Sequence, residues 1–422
     1  MDDPSNSEFI GGPLQKAESV PDVGVHKGIL EDLALKILYL FGPFSVIDLS
    51  KHLRLSHAVG EELFHRLRTL QLCEVTGLSH NVPDLAITSR GRARALELLS
   101  LSQYASAAPV SLESYVKQVR EQSIRNLQVH RAQVERAFGH LVLDSGMIDR
   151  FGTALNSGTS IFLYGPTGVG KTVIAETLSR VLAEDKVWIP YAVEVDGQII
   201  TVYDPVIHKA VEEPAPWDRD GRWVLCHRPA VLVGGELTGD MLNLQFNPIT
   251  KFYTGPLQMK ANNGALIIDD FGRQRLRPEE LLNRWIVPLD RRIDFLTLAG
   301  GKTIEIPFEL LVVFATNLDP ATMLEDAALR RIQTKIKIDA ASDDEFREIF
   351  RRVAIEQGLA YEAIDLDELI SVIHCHSQLL RPCYARDILS QILWAARYEG
   401  RKPQIDRAGL MRAVESYFLP DA

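Results

Sequence analysis

Gly165-Pro166-Thr167-Gly168-Val169-Gly170-Lys171-Thr172 is the stretch that decides the fold of this chain, because it meets the pattern G-x-x-x-x-G-K-[ST] at every fixed position. On its N-terminal side Ser160-Ile161-Phe162-Leu163-Tyr164 reads as a buried strand, and on its C-terminal side Val173 to Leu182 carries the apolar period of an amphipathic helix. Strand, glycine loop and helix in that order make a phosphate cradle. The glycines at 165, 168 and 170 allow φ > 0 and keep side chains away from the amide groups that face phosphate oxygens. A helix starting near Lys171 adds the positive end of its dipole to the same place. Lys171 is then expected on the β and γ phosphates of a nucleoside triphosphate, and the Thr172 hydroxyl on Mg²⁺, which prefers hard oxygen ligands. A nucleoside triphosphate and Mg²⁺ are the cofactors this predicts.

Two further strands supply what such a loop needs. Ala265-Leu266-Ile267-Ile268-Asp269-Asp270 is apolar until it ends in two carboxylates. Asp269 is expected to hold the metal shell and Asp270 to orient and polarise an attacking water. Leu310-Leu311-Val312-Val313-Phe314-Ala315-Thr316-Asn317 is apolar until its polar end, where the Asn317 amide, able to donate and accept, suits a γ-phosphate or the water. Alternation of strand and helix patterns across this region predicts an α/β fold, a P-loop parallel sheet with flanking helices.

Bulk properties bound the rest. At 422 residues the chain has room for two or three domains, and its 46% hydrophobic and 24% charged residues are those of a globular protein. No apolar run approaches the ~18 to 20 residues of a membrane span, so no membrane insertion is expected. Met1-Asp2-Asp3-Pro4 is the opposite of a secretory leader, and a cytoplasmic location is expected. Cys73, Cys226, Cys375 and Cys383 lack the density of a disulfide framework. A net charge of −10 argues against non-specific nucleic-acid binding by the whole chain and leaves room for a local basic face.

Residues 1–25, rich in Asp, Pro, Ser and Gly, read as a mobile tail. Over 26–100, helical patterns at Leu30–Phe41, Val46–Leu53 and Ala58–Leu70 precede a β-like stretch from Cys73 to Thr88 with a polar tip at Ser79-His80-Asn81. That is the order of a winged helix-turn-helix domain. Its second paired helix would be the recognition helix if the module reads DNA, with Arg66 and Arg68 beside Glu61 and Glu62, and Arg90, Arg92 and Arg94 at the wing end; that balance is only mildly basic, and protein docking or oligomer packing is the favoured use of the same module. A linker is expected over 101–120, the nucleotide-binding core over 121–340 and a C-terminal helical lid over 341–422.

The P-loop, acidic strand and polar-ended strand, in this order, resemble an AAA+ ATPase over roughly residues 120–418. Within that superfamily, Leu281 to Phe308, with a hairpin-like Ile293–Ile306 turning at Gly300-Gly301, resembles the insertion of the MoxR, McrB and magnesium-chelatase-like branch. The resemblance implies a homo-oligomer, a hexameric ring, in which a neighbour's arginine completes each site. Ala328-Leu329-Arg330-Arg331-Ile332 is the matching segment, with Arg331 the first choice and Arg330 the second. Tyr384-Ala385-Arg386-Asp387 resembles the second sensor motif, so Arg386 is expected on the γ-phosphate, with Arg381 its competitor. Two departures stand out. Asp270 occupies the place where the family usually has Glu, and the stretch between the P-loop helix and the acidic strand is long. Thr238–Asn263 in that stretch is expected to face the ring axis or a partner, with Phe246, Phe252 and Tyr253 as contact candidates. The function these features imply is ATP hydrolysis coupled to chaperone-like remodelling of a protein assembly; the alternative is a DNA-associated transcription or replication regulator.

Overall fold

A computed structural model of the chain describes residues 14–79, 82–212, 219–323, 329–360, 366–377 and 379–418. At its centre lies a five-stranded sheet in the order Ala230–Val233, Ala265–Ile268, Leu311–Thr316, Ile161–Tyr164, Thr334–Lys337. Every neighbouring pair is parallel, so both faces must be covered and the strands read as unbroken apolar runs. The two faces separate with period 2. Ile161, Leu163, Ile267, Val313 and Ile336 pack on the side of the helices Ser145–Ser157 and Lys171–Ala183, while Phe162, Leu266, Ile268, Val312 and Phe314 pack against Trp285 and Phe308 on the other. The fold is therefore α/β, as the sequence predicts. The strand bearing Asn317 sits between the acidic strand and the P-loop strand, which brings three strand ends to one edge.

The N-terminal unit has α1 (Lys27–Phe41), β1 (Phe44–Ser45), α2 (Val46–Leu53), α3 (His57–Thr69), β2 (Cys73–Ser79), β3 (Val82–Ile87) and α4 (Ser89–Leu101). Serines cap α2 and α3: Ser45 accepts from the Asp48 N–H and Ser56 from the Val59 N–H. The strands form an antiparallel sheet in the order β1-β3-β2.

The mobile tail expected over 1–25 is corrected for residues 14–25; residues 1–13 lie outside the described residues. Ala17, Val20, Val23 and Val25 are buried in the same core as α1 to α4, and the Val20 N–H donates to the Glu62 carboxylate at 2.9 Å. The linker expected from residue 101 is likewise packed: Tyr104 and Ala108 are buried in that core. Polar composition misled both readings, because a few apolar side chains suffice to order a segment when a neighbouring surface is ready for them.

That surface is the long insertion after the P-loop helix. Its strands Ala192–Val195, Gln198–Thr201, Gln245–Phe246 and Tyr253–Thr254 join Val110–Ser111 in a second five-stranded sheet. Lys186–Pro190 and Trp223–His227 form an antiparallel pair beside it. The hairpin Ile293–Thr297/Thr303–Pro307 packs Leu296, Ile304 and Ile306 into the same core as Val193, Ile200 and Trp188. Thr238–Asn263 is thus part of an intramolecular scaffold and not a free elaboration. Tyr253 is buried with its hydroxyl accepting from the Ala299 N–H (2.8 Å), Phe252 stacks edge-on against Tyr104, and of the three aromatics only Phe246 is exposed.

Two buried arginines lock these layers. Arg222 pairs with Asp220 (2.7 Å) and donates to the carbonyls of Val23 (2.8 Å) and Pro109 (3.1 Å). Arg228 pairs with Asp185 (2.8 Å) and donates to the carbonyls of Gln122 (2.8 Å) and Asn263 (2.6 Å). A guanidinium suits such hubs because its planar fork offers five donors in fixed directions. The C-terminal helices Asp343–Glu356, Asp367–Ser377, Pro382–Tyr398 and Arg407–Tyr417 enclose a separate core that includes Phe346, Phe350, Leu389 and Leu410; the first begins with a capping box of Ser342 and Glu345.

Candidate nucleotide-phosphate site

The P-loop is fully formed at the C-terminal edge of the central sheet. Gly165, Gly168 and Gly170 take φ of 147°, 83° and 91°, all in the left-handed half of the map where L side chains are strained. Two of them are also sterically constrained. A Cβ on Gly165 would lie 2.0 Å from the Ile338 carbonyl oxygen, and one on Gly168 would lie 2.6 Å from Cys383 Sγ. Gly170 caps the helix that begins at Lys171, so the first-turn amides open toward the loop. Val169 is buried in the sheet core and ties the loop to it, while Pro166 and Thr167 form its outer arm.

Lys171 folds over this arm, donating to the carbonyls of Gly165 (3.0 Å) and Pro166 (2.7 Å). Burial lowers its pKa, and the charges of Asp269 and Asp270 oppose that shift. The Thr172 hydroxyl donates to the Asp269 carboxylate at 2.8 Å across the sheet. Asn317 reaches in from the intervening strand: its Nδ2 donates to Thr167 Oγ1 at 3.0 Å, and its buried Oδ1 has no hydrogen-bond partner. Asp270 follows Asp269 in a left-handed turn, φ 49°, and is exposed to the mouth of the site. Lys171, Thr172, Asp269, Asp270 and Asn317 are thus brought together from three strand ends. The oxygen-only pair Thr172/Asp269 suits a hard divalent cation with its water shell.

The arginines divide differently from expectation. Arg386 is exposed, with Glu356 Oε2 4.0 Å from its guanidinium. Arg381, one residue before the helix Pro382–Tyr398, is the lid arginine at the loop: its Cδ would lie 3.4 Å from a Cβ on Gly168, and the Cys383 N–H donates to the Gly168 carbonyl at 3.2 Å. Arg381 Nε is buried and has no hydrogen-bond partner, an orphan donor beside an anion cradle. Arg381 is therefore the lid arginine that stands beside the loop, while Arg386 lies one helical turn further on, exposed on the same helix.

Arg330 and Arg331 precede the strand Thr334–Lys337, which runs parallel to the P-loop strand with Thr334 opposite Ile161. They therefore lie at the far end of the sheet from Lys171, and the Arg331 carbonyl accepts from Ser160 Oγ at 3.4 Å. Arg331 Nε pairs with Asp290 at 3.2 Å beside a cavity of about 430 Å³ lined by Leu289, Asp290, Arg330, Arg331 and Gln333. No side chain so placed reaches its own P-loop. Ala328 lies outside the described residues.

On the N-terminal unit, Arg66 pairs with Glu31 of α1, and Glu62 accepts from the Val20 N–H of the packed strap formed by residues 14–25. Arg68, Arg90 and Arg92 are exposed, and Arg94 pairs with Glu97 at 3.1 Å. Arg273, Arg275 and Arg277 are exposed on one side of the segment after the acidic strand, with Arg277 paired to Glu280 at 3.0 Å. Among the described residues no cluster of three or more His, Cys, Asp and Glu is placed to hold a metal, and no helix is long and apolar enough to cross a membrane.

Comparison with known proteins adds little to this geometry. A family described as a domain of unknown function (DUF8689) matches residues 342–416, the C-terminal helices. No curated protein matches the chain. Among solved structures, the Thermotoga maritima RuvB Holliday junction branch migration motor is 16% identical, covering 65% of this chain and 69% of that one at a TM-score of 0.37. NtrX from Brucella abortus is 14% identical, covering 64% and 55% at a TM-score of 0.40. These likenesses are too distant to carry a function, and the residues of the site bear that burden alone.

Proposed function

We propose that this chain is a Mg²⁺-dependent ATPase of the AAA+ type, working in the cytoplasm as a ring oligomer, a hexamer, that remodels a protein assembly. The observation that carries the reading is the Thr172–Asp269 hydrogen bond of 2.8 Å, which joins a formed P-loop to the acidic strand, with the Asn317 carbonyl unpartnered and the Asp270 residue exposed. In this reading the loop amides and Lys171 hold the β and γ phosphates, and Lys171 exchanges its two loop carbonyls for phosphate oxygens. Thr172 and Asp269 hold the metal, which when bound neutralises phosphate charge. Asp270 accepts a hydrogen bond from the attacking water, and Asn317 fixes that water or the γ-phosphate. Arg381 brings the lid onto the phosphates. Arg331, with Arg330 beside it, serves a neighbouring subunit's site, where a guanidinium is worth roughly 10³ to 10⁵ in rate.

A DNA-associated regulator is the second reading, through the winged-helix arrangement of α1 to α4. One observation weighs against it: Arg66 of α3 is held by Glu31, and the exposed face of that helix carries Glu61 as well as Arg68. Steady-state ATP hydrolysis measured against protein concentration, with and without duplex DNA and with EDTA as control, decides between them. Specific activity that rises with concentration, ignores DNA and vanishes with EDTA supports the remodelling ring. Strong stimulation by DNA moves the regulator to first place, and absence of turnover in every condition leaves a nucleotide-binding scaffold.

A further inference from the structure

The turn after the acidic strand is unusual in its backbone: Asp270 has φ 49° and Gly272 has φ 101°. Its shape is held from two sides. On the inner side the Phe271 N–H donates to the Ala315 carbonyl (2.7 Å), and Thr316 Oγ1 donates to the Phe271 carbonyl (2.6 Å), so the turn is stitched to the strand that bears Asn317. On the outer side stands Gln274. Its Nε2 donates to the Asp269 carbonyl at 2.7 Å, and its Oε1 accepts from the Gly272 N–H at 2.8 Å. A carbonyl at one end and an N–H at the other fix the orientation of the amide, since only one way round satisfies both. The two bonds straddle Asp270. Gln274 is itself anchored, because Leu276 two residues on is packed in the core beneath and its N–H donates to the Leu237 carbonyl (3.3 Å).

We propose that Gln274 is the positioning residue of Asp270: its side-chain amide closes the 269–272 turn and so sets where the Asp270 carboxylate stands relative to the metal-binding Asp269. The inference rests on the reading of Asp270 as the residue that orients water. Asp is one methylene shorter than Glu and has less reach, so the backbone of the turn sets the position of its carboxylate more tightly. A displacement of about 1 Å at such a group costs up to about 10²-fold in rate.

Gln274→Met keeps the length of the side chain and removes both hydrogen bonds. Gln274→Glu keeps the acceptor for Gly272 and sets a carboxylate against the Asp269 carbonyl. Three quantities are read for the wild-type chain and each variant: kcat and KM for ATP, Kd for a fluorescent ATP analogue, and hydrogen exchange of the peptide spanning 265–276. In Gln274→Met, kcat is expected to fall about 10-fold or more, with Kd within about twofold of wild type and faster exchange in the turn; Gln274→Glu is expected to lose kcat as well. Wild-type kcat with unchanged exchange overturns the proposal, and so does a loss of nucleotide binding in step with a lowered Tm, which marks a merely structural residue. If the wild-type chain shows no turnover, or Asp270→Asn keeps full activity, the reading of Asp270 fails; exchange alone then decides the clamp, supported by lost protection in Gln274→Met and overturned by retained protection.

Discussion

Asp270 occupies a backbone region that costs most L residues roughly 1 to 2 kcal/mol and that Asp and Asn enter more readily than others. Asp is thus a residue that this turn accommodates readily. Asp270→Asn is therefore expected to fold as the wild type does and to lower kcat about 10²-fold or more as the acceptor for the water's proton is lost; Asp270→Glu, which restores the usual acid, is expected to cost about 1 kcal/mol of stability without raising turnover. Thermal melts and steady-state kinetics check both. A second residue sets a pH dependence. His208 is buried, its Nδ1 accepting from the Asp204 N–H (2.8 Å) and its Nε2–H donating to the Lys260 carbonyl (2.8 Å), and burial pulls its pKa below the ordinary 6.5. The unfolded chain then binds more protons than the folded one as pH falls through 6.5, so stability is expected to fall there and to be fully present above it. Melts between about pH 5 and 8 should show that loss, and a His208→Gln chain, which does not titrate there, should show less of it.

Elements meet at two junctions with different duties. The lid touches the P-loop through Cys383 and Gly168, so that the loop and the N-terminus of the helix Pro382–Tyr398 form one contact. Arg381→Ala is expected to weaken ATP binding about 10-fold or more, the worth of a charge-assisted hydrogen bond of ~1.5 to 3 kcal/mol, whereas Arg386→Ala should change it little. Titration of a fluorescent nucleotide into each variant distinguishes them, and the reverse order would return the role to Arg386. The second junction is structural. Arg222 holds the strap at Val23 and the segment at Pro109 while it neutralises buried Asp220. Arg222→Ala leaves that carboxylate uncompensated, an effect of about 3 to 5 kcal/mol. Differential scanning calorimetry should show the loss, and limited proteolysis should find residues 14–25 newly accessible.

For the molecule as a whole, the proposed reading makes the two ends of one sheet complementary, each serving a site completed by another chain. Lys171, Thr172, Asp269, Asp270 and Asn317 gather at one edge, and Arg330 and Arg331 stand at the other, beyond a strand of four paired residues, or about 13 Å of chain. In the proposed ring a second chain, set beside the first, closes that gap. Arg331→Ala is expected to bind nucleotide normally and to lose turnover. Lys171→Ala is expected to lose binding while still offering its arginine. Mixing the two inactive chains should then restore a measurable fraction of activity, because some interfaces pair an intact P-loop with an intact Arg331; a mixture as inactive as its parts sinks the trans-arginine reading.

The P-loop, the acidic strand and the polar-ended strand were legible in the sequence because each is a local pattern: glycines where φ must be positive, and apolar runs where both faces of a parallel sheet are covered. The α/β class follows from those runs alone. Which arginine of the lid approaches the loop was not legible, since Arg381 and Arg386 differ only in how a preceding loop sets a helix against a distant glycine. The packing of residues 14–25 and of the stretch after 101 was hidden for a related reason. Their few apolar side chains are ordered by the insertion and by Arg222, which lies 199 residues from Val23 and 113 from Pro109, and no local pattern records a partner that only the folded chain supplies.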